Sequence, residues 1–141
     1  MKDLNGKFLV RNLKKNFGSR WCERGIDGIC SEEAFRFLLK RERARADRGH
    51  SVFSMVVFEL MADHQKASCR KLVEVLTARV RITDSIGWLK GASVGVLLAD
   101  TPCEGGKSFL KDVLALIHDI QPAPECHVYT YPSASAGNGC R

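Results

Sequence analysis

The chain has 141 residues, of which 45% are hydrophobic and 27% are charged, and its formal net charge is +6. This length allows one compact domain with short extensions and excludes a large multidomain enzyme. No apolar run reaches the roughly 18 residues that a membrane-spanning helix needs. The excess positive charge lies in residues 1–50, and much of it falls in one predicted helix. Such charge is more typical of a solvated helix face than of a nucleic-acid interface, so nucleic acid is not the expected partner.

The cysteines and histidines give no sign of a metal site. The six cysteines include no CxxC pair, and no two histidines have zinc-ligand spacing. We therefore expect neither a structural metal nor a cofactor. The N-terminal segment has no apolar stretch of signal-peptide length. The cysteines are thus predicted to be reduced thiols in a cytoplasmic protein, with Cys69 in or beside the core.

The first predicted elements follow an irregular lead-in over residues 1–30, which contains four glycines and no sustained periodicity. Ser31, followed by two glutamates, predicts the start of a helix that ends near Gly49. Residues 51–60 are almost continuously apolar and rich in β-branched and aromatic side chains, which predicts a central strand. A helix is then predicted over about residues 64–82.

The second half of the domain begins with a hairpin over residues 84–100, whose turn is predicted at 90–93. Thr101 as N-cap, Pro102 at the first helical position and Glu104 three residues after the cap predict the next helix. Two prolines end that helix, a last strand follows, and residues 133–141 form a tail without a packing signal. One core is expected to contain seven apolar residues from these elements: Val56, Phe58, Leu76, Val96, Leu98, Leu110 and Ile117.

The element order after the first helix is β-α-β-β-α-β. This order predicts an α+β fold with a ferredoxin-like antiparallel sheet, to which the N-terminal helix is an addition. The expected domain spans residues 31–132, between the lead-in and the tail.

Several segments, in the right order, resemble the GGDEF diguanylate cyclase domain over about residues 31–131. They are the helical sequence FRFLLKRERARA, the strand FSMVVFEL, the RxxD motif of Arg81 and Asp84, and the hairpin IGWLKGASVGVLLAD. The resemblance implies the nucleotide-cyclase fold and a role in bacterial cyclic di-GMP signalling.

The signature Gly-Gly-Asp-Glu-Phe of that family is degenerate here and falls on Lys90, Gly91, Ala92, Ser93 and Val94. Both acidic residues are missing, although a cyclase needs carboxylates to hold Mg²⁺ against the triphosphate of GTP. The family's metal-binding aspartate aligns with Glu59, and its second acidic position falls on Met61. The segment before the hairpin also lacks the part that recognises guanine. The resemblance therefore implies an inactive domain, in which Glu59 is either a metal ligand or, more simply, a strand-end carboxylate facing water.

Arg81 and Asp84 precede the degenerate signature by the five residues that separate an inhibitory RxxD site from the signature in the family. A guanidinium can bind phosphate or the guanine edge, and a carboxylate can accept hydrogen bonds from guanine N–H groups. The resemblance thus makes cyclic di-GMP a candidate ligand. The other interpretation is a structural pair that fixes the turn between helix and strand.

Residues 101–108, TPCEGGKS, imitate a phosphate-binding P-loop because they follow a strand and end in Gly-Lys-Ser. The first P-loop glycine is replaced by Thr101, and Pro102 removes one amide of the phosphate cradle. The predicted capping box explains Thr101, Pro102 and Glu104 better than a P-loop does.

The function expected from the sequence is therefore that of an inactive GGDEF-like regulatory or scaffolding module with a protein partner; a homodimer is left open. The pattern GWxxxxSVxGVL and the pair Tyr131-Pro132 resemble the degenerate, stand-alone proteins found beside exopolysaccharide sugar transferases. The alternatives are a divergent nucleotidyl cyclase using Glu59 and a small nucleotide-binding enzyme, a triphosphate hydrolase, using Lys107.

Overall fold

The computed structural model describes residues 29–61, 66–90 and 93–133, so most of the predicted lead-in and tail lies outside the described residues. The helices and strands are, in chain order, α1 (Glu32–Gly49), β1 (Phe53–Glu59), α2 (Lys66–Arg79), β2 (Ser85–Leu89), β3 (Ser93–Leu98), α3 (Cys103–Leu116) and β4 (Glu125–Tyr131). The strands form one antiparallel sheet in the order β2-β3-β1-β4. This is the ferredoxin-like order, so the predicted fold class, the central strand β1 and the β2–β3 hairpin are confirmed.

One face of the sheet packs against α2 and α3 and carries the main core. Side chains alternate across a strand, and this face receives Val56 and Phe58 of β1. Six of the seven predicted core residues are buried there, and Leu110 is half-buried against them. Cys69 of α2 is fully buried in the same cluster, as predicted.

The opposite face is partly covered by α1, because two glycines leave room for an aromatic ring. Gly87 and Gly95 face each other across β2 and β3, and Phe35 of α1 lies on both of them. A Cβ at Gly87 would come within 2.5 Å of Phe35, and one at Gly95 within 2.8 Å. The missing Cβ atoms therefore set the distance between α1 and the sheet.

The ends of α1 lie where the sequence predicts them. Ser31 Oγ accepts a hydrogen bond from the Ala34 N–H at 3.1 Å, which satisfies one of the unpaired amides of the first turn. The helix ends at Gly49, and His50 after it takes a left-handed conformation with φ of 58°. Upstream, Cys30 exchanges backbone hydrogen bonds with Ile86 and Trp88 of β2, so packing begins before the predicted domain boundary.

Four local predictions are wrong. Helix α3 ends at Leu116, well before Pro122, so the two prolines do not end it. The N-cap of α3 is Pro102 and makes no side-chain cap bond, because the Thr101 hydroxyl is used in another network described below. Helix α2 ends at Arg79 rather than near residue 82, since Arg81 and Asp84 form a turn. Cys103 is disulfide-bonded, contrary to the expectation that all six cysteines are reduced.

None of the helices in the described ranges combines the length and the apolar character that crossing a membrane requires.

Candidate functional site

The degenerate signature lies at the turn between β2 and β3. Lys90 is an exposed turn residue, whereas Gly91 and Ala92 lie outside the described residues. Ser93 begins β3, and Val94 after it is completely buried in the main core. Of the signature positions on β3, Ser93 thus provides a hydroxyl group and Val94 an apolar side chain packed in the core. Neither residue carries a charge.

Glu59 is the last residue of β1 and lies between the two neighbouring strands. It pairs with Ser93 of β3 on one side and with Glu125 of β4 on the other. Its side chain is 46% exposed, and its Oε2 lies 3.5 Å from Nε2 of His127. Met61, at the family's second acidic position, is exposed and offers no carboxylate. The hairpin therefore brings no second acidic group to Glu59.

The predicted pair Arg81–Asp84 is brought together in the turn between α2 and β2. Both carboxylate oxygens of Asp84 are used: Oδ2 accepts from the Arg81 backbone N–H at 2.8 Å and from Nε at 3.2 Å. Oδ1 accepts from Arg81 Nη2 and from the Ala99 backbone N–H, each at 3.2 Å. Only 2% of the Asp84 side chain is exposed. This carboxylate is therefore committed to the protein's own backbone and guanidinium.

The same guanidinium also reaches the end of β3. Arg81 Nη2 donates to the Ala99 carbonyl and to Thr101 Oγ1, both at 2.9 Å. The Thr101 hydroxyl in turn donates to the Ala99 carbonyl at 2.8 Å. The Arg81 side chain nevertheless remains 56% exposed, so one face of it is open to solvent. The network links the end of α2, the start of β2 and the approach to α3.

Residues 101–108 do not form a phosphate cradle. The preceding strand β3 is antiparallel to both neighbours, whereas a P-loop follows a parallel strand. Gly106 packs against the sheet, and a Cβ there would lie 2.9 Å from Val128 and 3.2 Å from Ser54. Gly106 therefore serves the packing of α3 on β1 and β4.

Two residues near Glu59 escaped the sequence analysis. No sequence motif points to Glu125 or His127, yet ligand atoms of Glu59, Glu125 and His127 all lie within 4.8 Å of one another. Glu125 and His127 are two residues apart on β4, so their side chains lie on the same face of the sheet. Only the β1–β4 register brings Glu59 next to them. Cys126 between them faces the core, and burial raises the pKa of its thiol to about 11.

The structure is similar to solved GGDEF domains. It matches a diguanylate cyclase protein from Thermotoga maritima with a TM-score of 0.63 and 16% identity, over 74% of this chain and 82% of that one. It matches the coiled coil and GGDEF domain of Caulobacter crescentus DgcB, in complex with c-di-GMP, with a TM-score of 0.66 and 12% identity, over 87% and 72% of the chains. It also matches Pseudomonas aeruginosa diguanylate cyclase SiaD, in complex with its activator SiaC, with a TM-score of 0.63 and 13% identity, over 86% and 54%. No family model matches the sequence, and no curated protein does. The chain therefore has the fold of GGDEF domains.

Proposed function

We propose that this protein is a catalytically inactive GGDEF-like module that acts by binding and regulation. The observation that carries the proposal is the pairing of Glu59 with the uncharged Ser93, next to a Val94 that is buried in the core. Joining two GTP molecules requires Mg²⁺ held by carboxylates against the triphosphates. Glu125 approaches Glu59 only from β4, on the side away from the hairpin.

An assay for product tests the inactive state. Incubating the purified chain with GTP and either Mg²⁺ or Mn²⁺ should give no cyclic di-GMP above a protein-free control, as measured by chromatography and mass spectrometry. Synthesis that is lost in Glu59→Ala but kept in Glu104→Ala would contradict the proposal and establish a divergent cyclase. Glu104 is a suitable control because it is an exposed glutamate on α3.

We further propose that Arg81 and Asp84 are a structural pair rather than a receptor site for cyclic di-GMP. A receptor role would need the Asp84 carboxylate to accept hydrogen bonds from guanine, but four donors of the protein already occupy it. Freeing it would leave the buried Ala99 amide without its acceptor, at about 1–3 kcal/mol, and would break the bond from the Arg81 amide as well. The half-exposed Arg81 favours ligand binding, and a calorimetric titration with cyclic di-GMP decides between the two roles.

The partner that we propose is a protein, in the cytoplasm of a bacterium. The complex of SiaD with its activator is one example of a GGDEF protein bound to another protein. The resemblance of the hairpin and of Tyr131-Pro132 to stand-alone proteins beside sugar transferases supports a role in exopolysaccharide synthesis. Pull-down with the tagged chain from its native cells is the direct way to identify the partner, and sedimentation analysis distinguishes a monomer from a homodimer.

A further inference from the structure

Three side chains that commonly ligate metals meet on the α1 side of the sheet, where β1 ends and β4 begins. Glu59 and Glu125 are directly opposite each other across the two strands, and His127 lies two residues further along β4 on the same face. Their ligand atoms all lie within 4.8 Å of one another. We propose that Glu59, Glu125 and His127 form a binding site for a divalent transition-metal ion, with Zn²⁺ as the best fit.

The charges of this cluster favour a bound cation. Like charges directly opposite each other on antiparallel strands destabilise a sheet. Among the described side chains, no lysine or arginine forms an ion pair with Glu59 or Glu125. Within the described part of the chain, Glu59 has one cationic contact, the imidazole of His127, which carries charge only when it is protonated. A metal ion between the two carboxylates would remove their repulsion while using the neutral imidazole as a ligand.

One of the distances between the ligand atoms already suits a small tetrahedral ion. With metal–ligand bonds of about 2.0–2.1 Å, the ligand atoms around tetrahedral Zn²⁺ are roughly 3.3 Å apart. Nε2 of His127 and Oε2 of Glu59 are already 3.5 Å apart. Glu125 is exposed, so its side chain is free to rotate and close the remaining distance. The ring of Tyr129 stacks on that of His127, with centroids 6.1 Å apart, and limits the orientations of the imidazole.

The ligand types select the metal. An imidazole nitrogen with two carboxylates suits Zn²⁺, whereas Mg²⁺ and Ca²⁺ prefer oxygen ligands alone. Three protein ligands leave a coordination position for water or for an outside ligand. Because Glu59 and His127 are 46% and 41% exposed, solvent and ions can reach the site.

This site differs from a metal site built at the hairpin. Glu59 contributes to both, but here the other ligands come from β4, and Ser93 contributes none. The proposal does not rest on the inactive state of the domain, since zinc binding and the synthesis of cyclic di-GMP are measured separately.

Calorimetric titration of the full chain with Zn²⁺ tests the site. Because cysteines elsewhere in the chain can also bind Zn²⁺, the informative quantity is the difference in zinc affinity and in the number of binding events between the unchanged chain and each variant. His127→Ala and Glu125→Gln should each abolish one binding event or weaken it by at least about tenfold, since even a lost second-shell partner costs 10- to 100-fold. The matched control His118→Ala should bind as the unchanged chain does, because His118 is an exposed histidine beyond the end of α3. Mg²⁺ should give no comparable binding event.

Thermal unfolding gives a second readout. Zn²⁺ should raise the melting temperature of the unchanged chain more than that of His127→Ala, because a ligand that binds only the folded state stabilises it. Without metal, Glu125→Gln should melt no lower than the unchanged chain, since it removes a repulsion. Equal zinc affinity and stoichiometry in the unchanged chain and His127→Ala, or no zinc binding to the unchanged chain, would overturn the proposal.

Discussion

Replacing Arg81 with alanine separates a structural role of the RxxD pair from a receptor role. The change removes the hydrogen bonds from Nη2 to the Ala99 carbonyl and Thr101 Oγ1, together with both guanidinium contacts to Asp84. A hydrogen bond contributes about 0.5–1.5 kcal/mol net, or about 1.5–3 kcal/mol where a charged group takes part. Two backbone amides would still donate to Asp84, and the Arg81 side chain is 56% exposed to solvent, which screens its charge. The summed contribution of the lost hydrogen bonds must therefore be reduced.

The expected loss is therefore about 1–3 kcal/mol in the free energy of unfolding, or roughly 4–15 °C in melting temperature for a domain near 100 residues. Arg79→Ala is the matched control. Arg79 pairs with Asp112 at 2.7 Å, but the two side chains are 41% and 50% exposed. An exposed pair contributes about 0–1 kcal/mol, so this variant should unfold close to the unchanged chain.

Urea and thermal unfolding followed by circular dichroism measure the stability, and calorimetry with cyclic di-GMP measures the binding. A structural pair predicts a destabilised Arg81→Ala and no heat of binding in the unchanged chain. The reasoning is refuted if Arg81→Ala is as stable as Arg79→Ala and if the unchanged chain binds cyclic di-GMP about 10- to 100-fold more tightly than Arg81→Ala does.

Two further predictions concern α1 and its contacts with the sheet. Gly87→Ala should lower the free energy of unfolding by about 1–3 kcal/mol, because the new methyl group would overlap Phe35. The control Gly49→Ala should not lower it, because nothing lies within 4 Å of the Cβ that it adds. Equal urea midpoints for the two variants would contradict the packing argument. The pKa of Tyr131 is raised by its hydrogen bond to Asp47, so this contact should stabilise the fold below pH 10 and be lost as the pH rises through the raised value. Ultraviolet titration should find Tyr131 ionising at lower pH in Asp47→Ala, and an unchanged titration would contradict the assignment.

Features that depend on short-range physics follow from the sequence alone. Ser31 caps α1 because a hydroxyl next to free amides needs no distant partner. The nearly continuous apolar character and the β-branched content of residues 51–60 predict a central strand, and the element order then restricts the topology to one with antiparallel neighbours. The burial of Val56 and Phe58 follows from the same apolar run.

The role of Thr101 was decided by the tertiary structure. Its spacing to Glu104 favours a capping box, but the folded chain brings Arg81 beside it, 20 residues earlier in sequence. The hydroxyl bonds the guanidinium and the Ala99 carbonyl instead of the amides of α3. A charged donor is a stronger partner than a neutral amide, and local spacing cannot reveal that such a donor will arrive.

The cluster of Glu59, Glu125 and His127 likewise depends on register. Alternation places the last two on one face of β4, but β1 and β4 come from opposite ends of the domain. A shift of one residue in their pairing would turn the side chains of one strand to the other face. The packing of α2 and α3 on the buried face fixes that register, and so the tertiary structure alone determines that Glu59 faces Glu125 and His127.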